Sequence, residues 1–415
     1  RLDLTEIPGT DNLHMPAGVI KEAQELASIA FGSQKTFFLV NGSTVGLHAA
    51  IAAVCRPGQK LIVGRDCHKA VINGMILSGV TPFYILPEYS EDFGISTGIT
   101  ASAVEKALGM NSDAAGVLIT RPNYYGVCSN ISEIAEIIHR HGKLLIVDEA
   151  HGPHLSFNRR LPAGALQDGA DICVQSAHKT LPALTQGAYL HVGSENVDLD
   201  RIKYFLDIYQ TTSPSYIIMA FLDIARELMQ RHGEQLLNSL LDNIEKGAAG
   251  LEENGIRLLC RRYLNGFDHD TTRIVVNVAE MGITGFAAEK LLREKFNIQV
   301  EMSDLNNIVC IATVADDAEN INRLFSSLTT LKSMSQPVGR KRIFPVLGRL
   351  KLPSIAMKPD ELLNADFKKI PLSYAAGEIS REMVFPYPPG IALICPGEII
   401  DGQTVEQLEE IIRCG

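Results

Sequence analysis

The chain has 415 residues, a formal net charge of −10 and 46% hydrophobic residues, a composition that excludes disordered and collagen-like chains. The negative charge argues against a nucleic-acid partner, and the apolar runs are shorter than the ~18 residues that span a bilayer, which argues against a membrane partner. The length predicts two or three domains, and eight cysteines without a Cys-x-x-Cys pair predict free thiols in a reducing, cytoplasmic compartment.

Apolar strands and helices alternate in the first half of the chain. The predicted strands are Thr36–Val40, Lys60–Val63, Thr81–Leu86, Ala115–Thr120, Lys143–Val147, Ile172–Gln175 and Ala188–Val192. Helical periodicity between them predicts helices at Gly46–Val54, Thr100–Leu108 and Ile131–His139. Apolar strands separated by helices are typical of βαβ units, so we predict an α/β large domain with a mostly parallel sheet.

Residues 200–253 are predicted to form long helices, and after Asn254-Gly255 the pattern changes and predicts a separate, smaller α+β domain. The predicted helices are Ile217–Gln230, Glu234–Glu253, Gly285–Phe296 and Asp316–Leu331, and the predicted strands are Thr272–Val278, Ile298–Met302 and Asn307–Thr313. A polar connection at Lys332–Lys351, a Pro-Tyr-Pro-Pro-Gly run at 386–390 and a helix at Thr404–Arg413 follow. The predicted units are a large domain at 1–254, a small domain at 255–335 and a C-terminal extension at 336–415 that packs with the small domain.

Four polar motifs stand at the ends or starts of predicted elements. They are Asn41–Gly46, Asp66–Lys69, Asp148–His151 and Ser176–Thr180. Each alone has an ordinary explanation: a capped helix start, a loop histidine, a helicase-type strand end and an exposed polar turn. The helicase interpretation fails because the sequence has no Gly-x-x-x-x-Gly-Lys-Ser/Thr loop ahead of the strand.

Together the four motifs predict a site for pyridoxal phosphate (PLP). A helix that begins near Gly42–Thr44 offers free N–H groups to a phosphate, and Ser176 adds a hydroxyl. His68 can stack on the ring, Lys179 can form the Schiff base, and Asp148 can hold the pyridinium nitrogen protonated. Since Lys179 is followed by an apolar run, its amine is expected to lose its proton easily.

These motifs resemble the Orn/Lys/Arg decarboxylase family, a PLP-dependent group of the aspartate-aminotransferase fold (fold type I). The matching segments are Leu2–Gly9, Asn41–Gly46, Cys67–Lys69, Asp148–Gly152, Ser176–Thr180 and Pro386–Gly390. The chain is similar to the shorter, Gram-positive-type members, which have no wing domain. Family members usually carry a His-Met-Pro-Gly-His-Lys run before the first segment, so the sequence is either one piece of a longer chain or a homologue without that arm.

The resemblance implies roles for individual residues. Lys179 would carry the cofactor, Asp148 would pair with its ring nitrogen, and His68 and Ala150 would lie on opposite faces of the ring. The implied cofactor-binding residues are Gly42, Ser43, Thr44, His68, Asp148, Ala150, His151, Ser176, His178 and Lys179. The implied catalytic residues are Lys179, Asp148, His68 and His178, with Lys179 or His178 as proton donor, and no metal site is expected.

The resemblance also implies the reaction, which is decarboxylation of arginine, lysine or ornithine through an external aldimine and a quinonoid, as in polyamine biosynthesis. A basic substrate needs a carboxylate partner, and Glu301 and Glu398 are candidates, although such carboxylates are more often simply solvated. A homodimer or higher homo-oligomer is implied. Two alternatives stay open: another fold-type-I transferase, such as an α-oxoamine synthase or aminotransferase, and a catalytically silent homologue.

Overall fold

A computed structural model of the chain describes residues 4, 6–7, 9–334, 352, 354–358, 361–385 and 391–414. The predicted connection beyond residue 334 and the Pro-Tyr-Pro-Pro-Gly run at 386–390 lie outside the described residues. The α-helices of the described part are α1 (Val19–Phe31), α2 (Gly42–Val54), α3 (Lys69–Ser78), α4 (Ala101–Met110), α5 (Ile131–Arg140), α6 (Ala177–Thr180), α7 (Leu199–Tyr209), α8 (Tyr216–Glu253), α9 (Gly285–Phe296), α10 (Ala318–Met334) and α11 (Gly402–Cys414).

The strands form one large sheet, one smaller sheet and two short ribbons. They are β1 (Lys35–Leu39), β2 (Lys60–Gly64), β3 (Thr81–Ile85), β4 (Tyr89–Ser90), β5 (Ile95–Ser96), β6 (Gly116–Thr120), β7 (Val127–Cys128), β8 (Leu144–Asp148), β9 (Ile172–Gln175), β10 (Ala188–Val192), β11 (Arg257–Leu258), β12 (Asp268–His269), β13 (Arg273–Asn277), β14 (Met302–Ser303) and β15 (Asn307–Ile311). Every strand predicted between residues 36 and 192 is a strand of the large sheet, displaced by at most one residue at either end.

The large sheet has the strand order β1-β10-β9-β8-β6-β2-β3. Strands β9, β8, β6, β2 and β3 run parallel. Strand β10 is antiparallel to both of its neighbours, so β1 points in the same direction as β9. Alternate residues face opposite sides of a sheet, and accordingly Ile146 packs in the cluster under α2 and α3 while Val147 packs in the cluster under α4 and α5. The predicted α/β fold with a mostly parallel sheet is confirmed.

The smaller sheet is antiparallel, with the order β11-β13-β15-β14, and it packs against α8. Two predictions here are wrong. The two predicted long helices are one continuous helix, α8. Gly233, at the predicted break, is buried and packs beside Phe157 of the large domain. The strand predicted at Ile298–Met302 is only Met302–Ser303. The N–H of Ile298 donates to Leu292 O at 3.0 Å. This bond caps the C-terminal end of α9, so Ile298 is not part of a strand.

The C-terminal region contacts the large sheet beside β2, which the sequence did not predict. Ala392 and Cys395 join the apolar cluster of the large sheet, and Ile391 forms a β-bridge with His68. Further bridges join Ile355 to Glu398 and Ile379 to Ile399 within the region itself. The boundaries of the predicted domains stay a prediction. Within the described ranges, no helix is both long and apolar enough to cross a bilayer.

Candidate active site

The predicted site residues converge because their strands end at one edge of the large sheet. Strands β1, β2, β8 and β9 all point the same way, so their carboxyl ends meet at that edge. This edge is where open α/β sheets bind ligands. Helix α2 follows β1, His68 lies beyond β2, Asp148 ends β8, and α6 with Lys179 follows β9.

The start of α2 has the features of an anion site. Gly42 has the left-handed φ of 76°, which turns the chain from β1 into the helix, and no side chain caps the helix. The Ser176 hydroxyl donates to the Ser43 Oγ at 2.7 Å, which brings two hydroxyls together at the helix end. Thr44 is exposed in the same first turn. Uncapped N–H groups at a helix start attract anions, so the residues predicted to hold a phosphate are gathered here.

Asp148 and Lys179 are the two ionisable groups at the centre of the site. Asp148 is 2% exposed, and its Oδ1 accepts the N–H of Ala150 at 3.1 Å. Burial raises the pKa of this carboxyl, and the charge of Lys179 opposes that rise. Burial lowers the pKa of Lys179, Asp148 acts against this, and Arg273 lowers the pKa further. Each group therefore stabilises the charged form of the other in a site that disfavours both charges.

His151 contacts the lysine directly. Its Nε2 lies 3.0 Å from Lys179 Nζ, and its Nδ1 lies 2.6 Å from a guanidinium nitrogen of Arg273. The ring of Tyr124 lies beside it, with 4.8 Å between the centroids. Burial, Lys179 and Arg273 together lower the pKa of His151 well below its usual value, so the imidazole is neutral.

Two further histidines lie at the same edge. His68 precedes α3, and its Nδ1 accepts the N–H of Ala70 at 3.3 Å, which restrains the ring. Burial, followed by the charges of Lys179 and Lys69, lowers the pKa of His68 to about 4, so it is neutral at pH 7. His178 Nδ1 donates to the carbonyl of Gly187 at 3.1 Å, and burial lowers its pKa.

The residue after Asp148 supports the site from behind, a role that the sequence did not indicate. Glu149 is fully buried and accepts a hydrogen bond from Arg121 at 3.1 Å. Its carboxylate also accepts the N–H of Ala165 at 2.8 Å and the side-chain amide of Gln175 at 2.7 Å. These bonds tie the end of β8 to the end of β9, which sets the spacing between Asp148 and the Lys179 turn.

The two carboxylates proposed for the substrate have different surroundings. Glu398 is 1% exposed and pairs with Arg65 at 3.0 Å, so it is already neutralised and is not available to a substrate. Glu301 is exposed, and its charge acts on both Lys179 and Arg273. Glu301 therefore stays a candidate, and the suggestion of Glu398 is wrong.

Sequence reasoning missed Arg273, which reaches the site from β13 of the smaller sheet. The signal was an arginine at the start of an apolar β-branched run, since a buried arginine requires partners. Its partner His151 lies far from it in sequence, so the pairing could not be read from spacing. Within the described part of the chain, no group of three or more His, Cys, Asp or Glu side chains could hold a metal ion.

The residues at this edge fit PLP in three respects. The uncapped start of α2 suits a phosphate. The buried carboxylate of Asp148, with a single backbone donor at 3.1 Å, suits a protonated ring nitrogen. The half-buried amine of Lys179 suits an aldehyde carbon.

Comparison with known proteins agrees with this arrangement. Residues 1–259 match the model of the Orn/Lys/Arg decarboxylase major domain, and residues 348–412 match that of the C-terminal domain of the same family. The chain belongs to the Orn/Lys/Arg decarboxylase family. The family prediction is confirmed, and this member is by family a PLP-dependent amino-acid decarboxylase.

Relatives and solved structures resemble this decarboxylase over most of its length. It is 38% identical to arginine decarboxylase of Bacillus subtilis strain 168, covering 100% of this chain and 85% of the relative. It is 36% identical to arginine decarboxylase of Bacillus anthracis with the same coverage. Lysine decarboxylase A from Pseudomonas aeruginosa has a similar fold, with a TM-score of 0.82 at 21% identity over 98% of this chain and 69% of that structure. The Francisella novicida lysine decarboxylase LdcF aligns with a TM-score of 0.79 at 20% identity over 97% of this chain and 69% of that chain.

Proposed function

We propose that this chain decarboxylates arginine with PLP bound at the carboxyl edge of the large sheet. The observation that carries the proposal is the Lys179 amine, which is held by His151 beside the buried carboxylate of Asp148. The names of two Bacillus relatives and of one from Halalkalibacterium halodurans favour arginine over lysine, because these three proteins, which are 36–38% identical to this chain, are named arginine decarboxylases. Lysine is the second candidate, since a lysine decarboxylase of Pseudomonas aeruginosa is 23% identical.

Each residue of the site has a separate role in the proposed reaction. The bound cofactor supplies a conjugated ring that withdraws the electrons left on the substrate Cα when CO2 departs. The start of α2, with Ser43 and Ser176, binds the phosphate. The Asp148 carboxylate keeps the ring nitrogen protonated, because a buried anion raises the pKa of a cation beside it. His68, neutral at pH 7, covers the ring without adding a charge.

We propose Lys179 as the group that returns a proton to Cα. Its neutral amine can take up a proton and release it again, because burial and Arg273 have lowered its pKa. His178 is the alternative donor. Its Nδ1–H donates to the carbonyl of Gly187, so Nε2 carries a proton only in the imidazolium form, and a transfer would have to start from that form. His178→Gln removes the proton on Nε2. If His178 is the donor, this variant should lower kcat at least tenfold, and if Lys179 is the donor it should not.

The exposed Glu301 would bind the guanidinium of arginine. Its charge acts on both the Lys179 amine and Arg273, which supports a place for Glu301 at the same edge of the sheet. A hydrogen bond to a charged group contributes about 1.5–3 kcal/mol, which corresponds to about 10- to 150-fold in kcat/KM. We expect Glu301→Gln to raise KM for arginine by that factor. The matched control is Glu294→Gln, on the exposed surface of α9, which should leave KM unchanged.

Two assays test the proposal. CO2 release from arginine, lysine and ornithine with added PLP should be fastest for arginine, and amino transfer to a keto acid without CO2 would refute decarboxylation. Lys179→Ala should abolish the visible absorbance band of bound PLP, whereas a band that survives would mean that another lysine binds the cofactor. A homodimer, a cytoplasmic location and the domain boundaries at residues 254 and 335 stay predictions, and sedimentation of the purified chain tests the first.

A further inference from the structure

The hydrogen bonds around His151 fix the position of its proton. The Arg273 guanidinium has only donors, and one of its nitrogens lies 2.6 Å from His151 Nδ1, so Nδ1 must accept. A neutral imidazole that accepts at Nδ1 carries its hydrogen on Nε2. That nitrogen lies 3.0 Å from Lys179 Nζ, so Nε2–H donates and the lysine nitrogen accepts. Only an uncharged amine has the lone pair that this bond requires.

Arg273 is buried, and the turn that precedes β13 fixes its backbone. It is 1% exposed, and its backbone N–H donates to the carbonyl of Asp270 at 3.0 Å. The Asp270 carboxylate accepts from the Thr272 hydroxyl at 2.7 Å and pairs with His154 Nε2 at 3.1 Å. His154 belongs to the same loop as His151, so the turn before β13 contacts this loop at two points.

We propose that Arg273 is a positioning residue which, through His151, holds the Lys179 amine uncharged and ready to attack the aldehyde of PLP. The inference rests on the proposed function in one respect, namely that Lys179 is the residue that binds PLP. Capture forms a C=N bond between Nζ and the aldehyde carbon, and the aldehyde oxygen leaves as water with the two amine hydrogens. An ammonium group cannot attack, so the rate of capture reports the fraction of uncharged Lys179.

Other titratable or charged groups also face this lysine. Those that act on Lys179 or on His151 are Asp148, Glu301, Arg273, His68 and His154. Asp148 and Glu301 favour the ammonium form, and burial and Arg273 oppose them. The proposal predicts that most of the Arg273 effect passes through the imidazole, whereas a purely through-space charge would act without it.

The experiment measures the rate at which apoenzyme captures PLP, followed by growth of the visible absorbance band, as a function of pH. For Arg273→Met, which removes both the donor and the charge, we expect the inflection to move up by at least one pH unit. The capture rate below that inflection should fall about tenfold. Arg273→Lys keeps a charged donor and should restore most of the rate. His151→Phe leaves Arg273 in place but breaks the link, and it should reproduce the shift of Arg273→Met.

A double-mutant cycle decides between the two routes. In the His151→Phe background, adding Arg273→Met should change the rate less than threefold. An equal effect of Arg273→Met in both backgrounds would overturn the proposal, and so would an unchanged inflection in His151→Phe. If Arg273→Met does not fold by circular dichroism, the inflection in His151→Phe still decides, because an unchanged value there overturns the proposal. Failure of the proposed function is seen separately, as a band that persists in Lys179→Ala.

Discussion

The ion pair between Arg65 and Glu398 joins the C-terminal region to the large sheet, and we expect its removal to lower the free energy of unfolding. Both side chains are 1% exposed, and the guanidinium donates to Glu398 at 3.0 Å, to Ala392 O at 2.6 Å and to Leu393 O at 3.2 Å. Glu398→Gln keeps the shape of the side chain but leaves a buried charge facing only neutral oxygens. Breaking a buried pair in this way costs about 3–5 kcal/mol, and the retained amide oxygen places our expectation near 3 kcal/mol.

The assay is urea denaturation followed by far-UV circular dichroism, since the chain contains no tryptophan for fluorescence. The matched control is Glu378→Gln in the same region. This side chain pairs with Lys368 at 2.9 Å, and the two side chains are 45% and 68% exposed. An exposed pair contributes less than about 1 kcal/mol to the free energy of unfolding. If the two variants lose stability to within about 1 kcal/mol of each other, our reasoning about the buried charge is wrong.

Three further predictions concern stability. In α8, an added Cβ at Gly247 would collide with the ring of Phe325, so Gly247→Ala should destabilise by about 1–3 kcal/mol. Apart from the neighbouring residues and backbone of α8 itself, no atom lies within 4 Å of the Cβ position at Gly250, so Gly250→Ala should stabilise by about 0.5–1 kcal/mol. Urea denaturation of both variants tests the pair, and changes of the same sign would contradict it. His191 is fully buried, and burial lowers its pKa from 6.5 to about 3. Below pH 6.5 the unfolded chain therefore gains a proton that the folded chain does not, and stability should fall by about 1.4 kcal/mol per pH unit as pH decreases toward 3. His191→Gln should flatten this slope between pH 6.5 and 5, and an unchanged slope would assign it to other groups.

The large sheet could be predicted from sequence because each of its strands is a local apolar run between helical patterns. The four polar motifs could be placed for the same reason, since the carboxyl ends of parallel strands share an edge. The pairing of Arg65 with Glu398 could not be predicted, because 333 residues separate the two and nothing in their spacing reveals the contact. The same holds for Arg273 and His151, which meet only when the smaller sheet packs beside the large one.

The continuous α8 shows a different limit of sequence reasoning. Gly233 lies between two apolar patterns and lowers helix propensity, so the sequence favoured a break there. The packing of this glycine beside Phe157 outweighs that propensity. Glu149 shows a further limit. A glutamate in the Asp-Glu-Ala-His motif is equally compatible with a solvated carboxylate and with the buried link between β8 and β9, so the sequence does not reveal its burial.

The bridge between His68 and Ile391 affects the order in which the protein can assemble during synthesis. Strand β2 leaves the ribosome more than 300 residues before the partners of Arg65 and His68, which lie at residues 391–398. Until those residues emerge, the nascent chain must hold an arginine without its partners beside an apolar cluster that Ala392 and Cys395 complete. The cofactor edge is therefore finished only after residue 398 has emerged, so the growing polypeptide should not capture PLP in its final form before then.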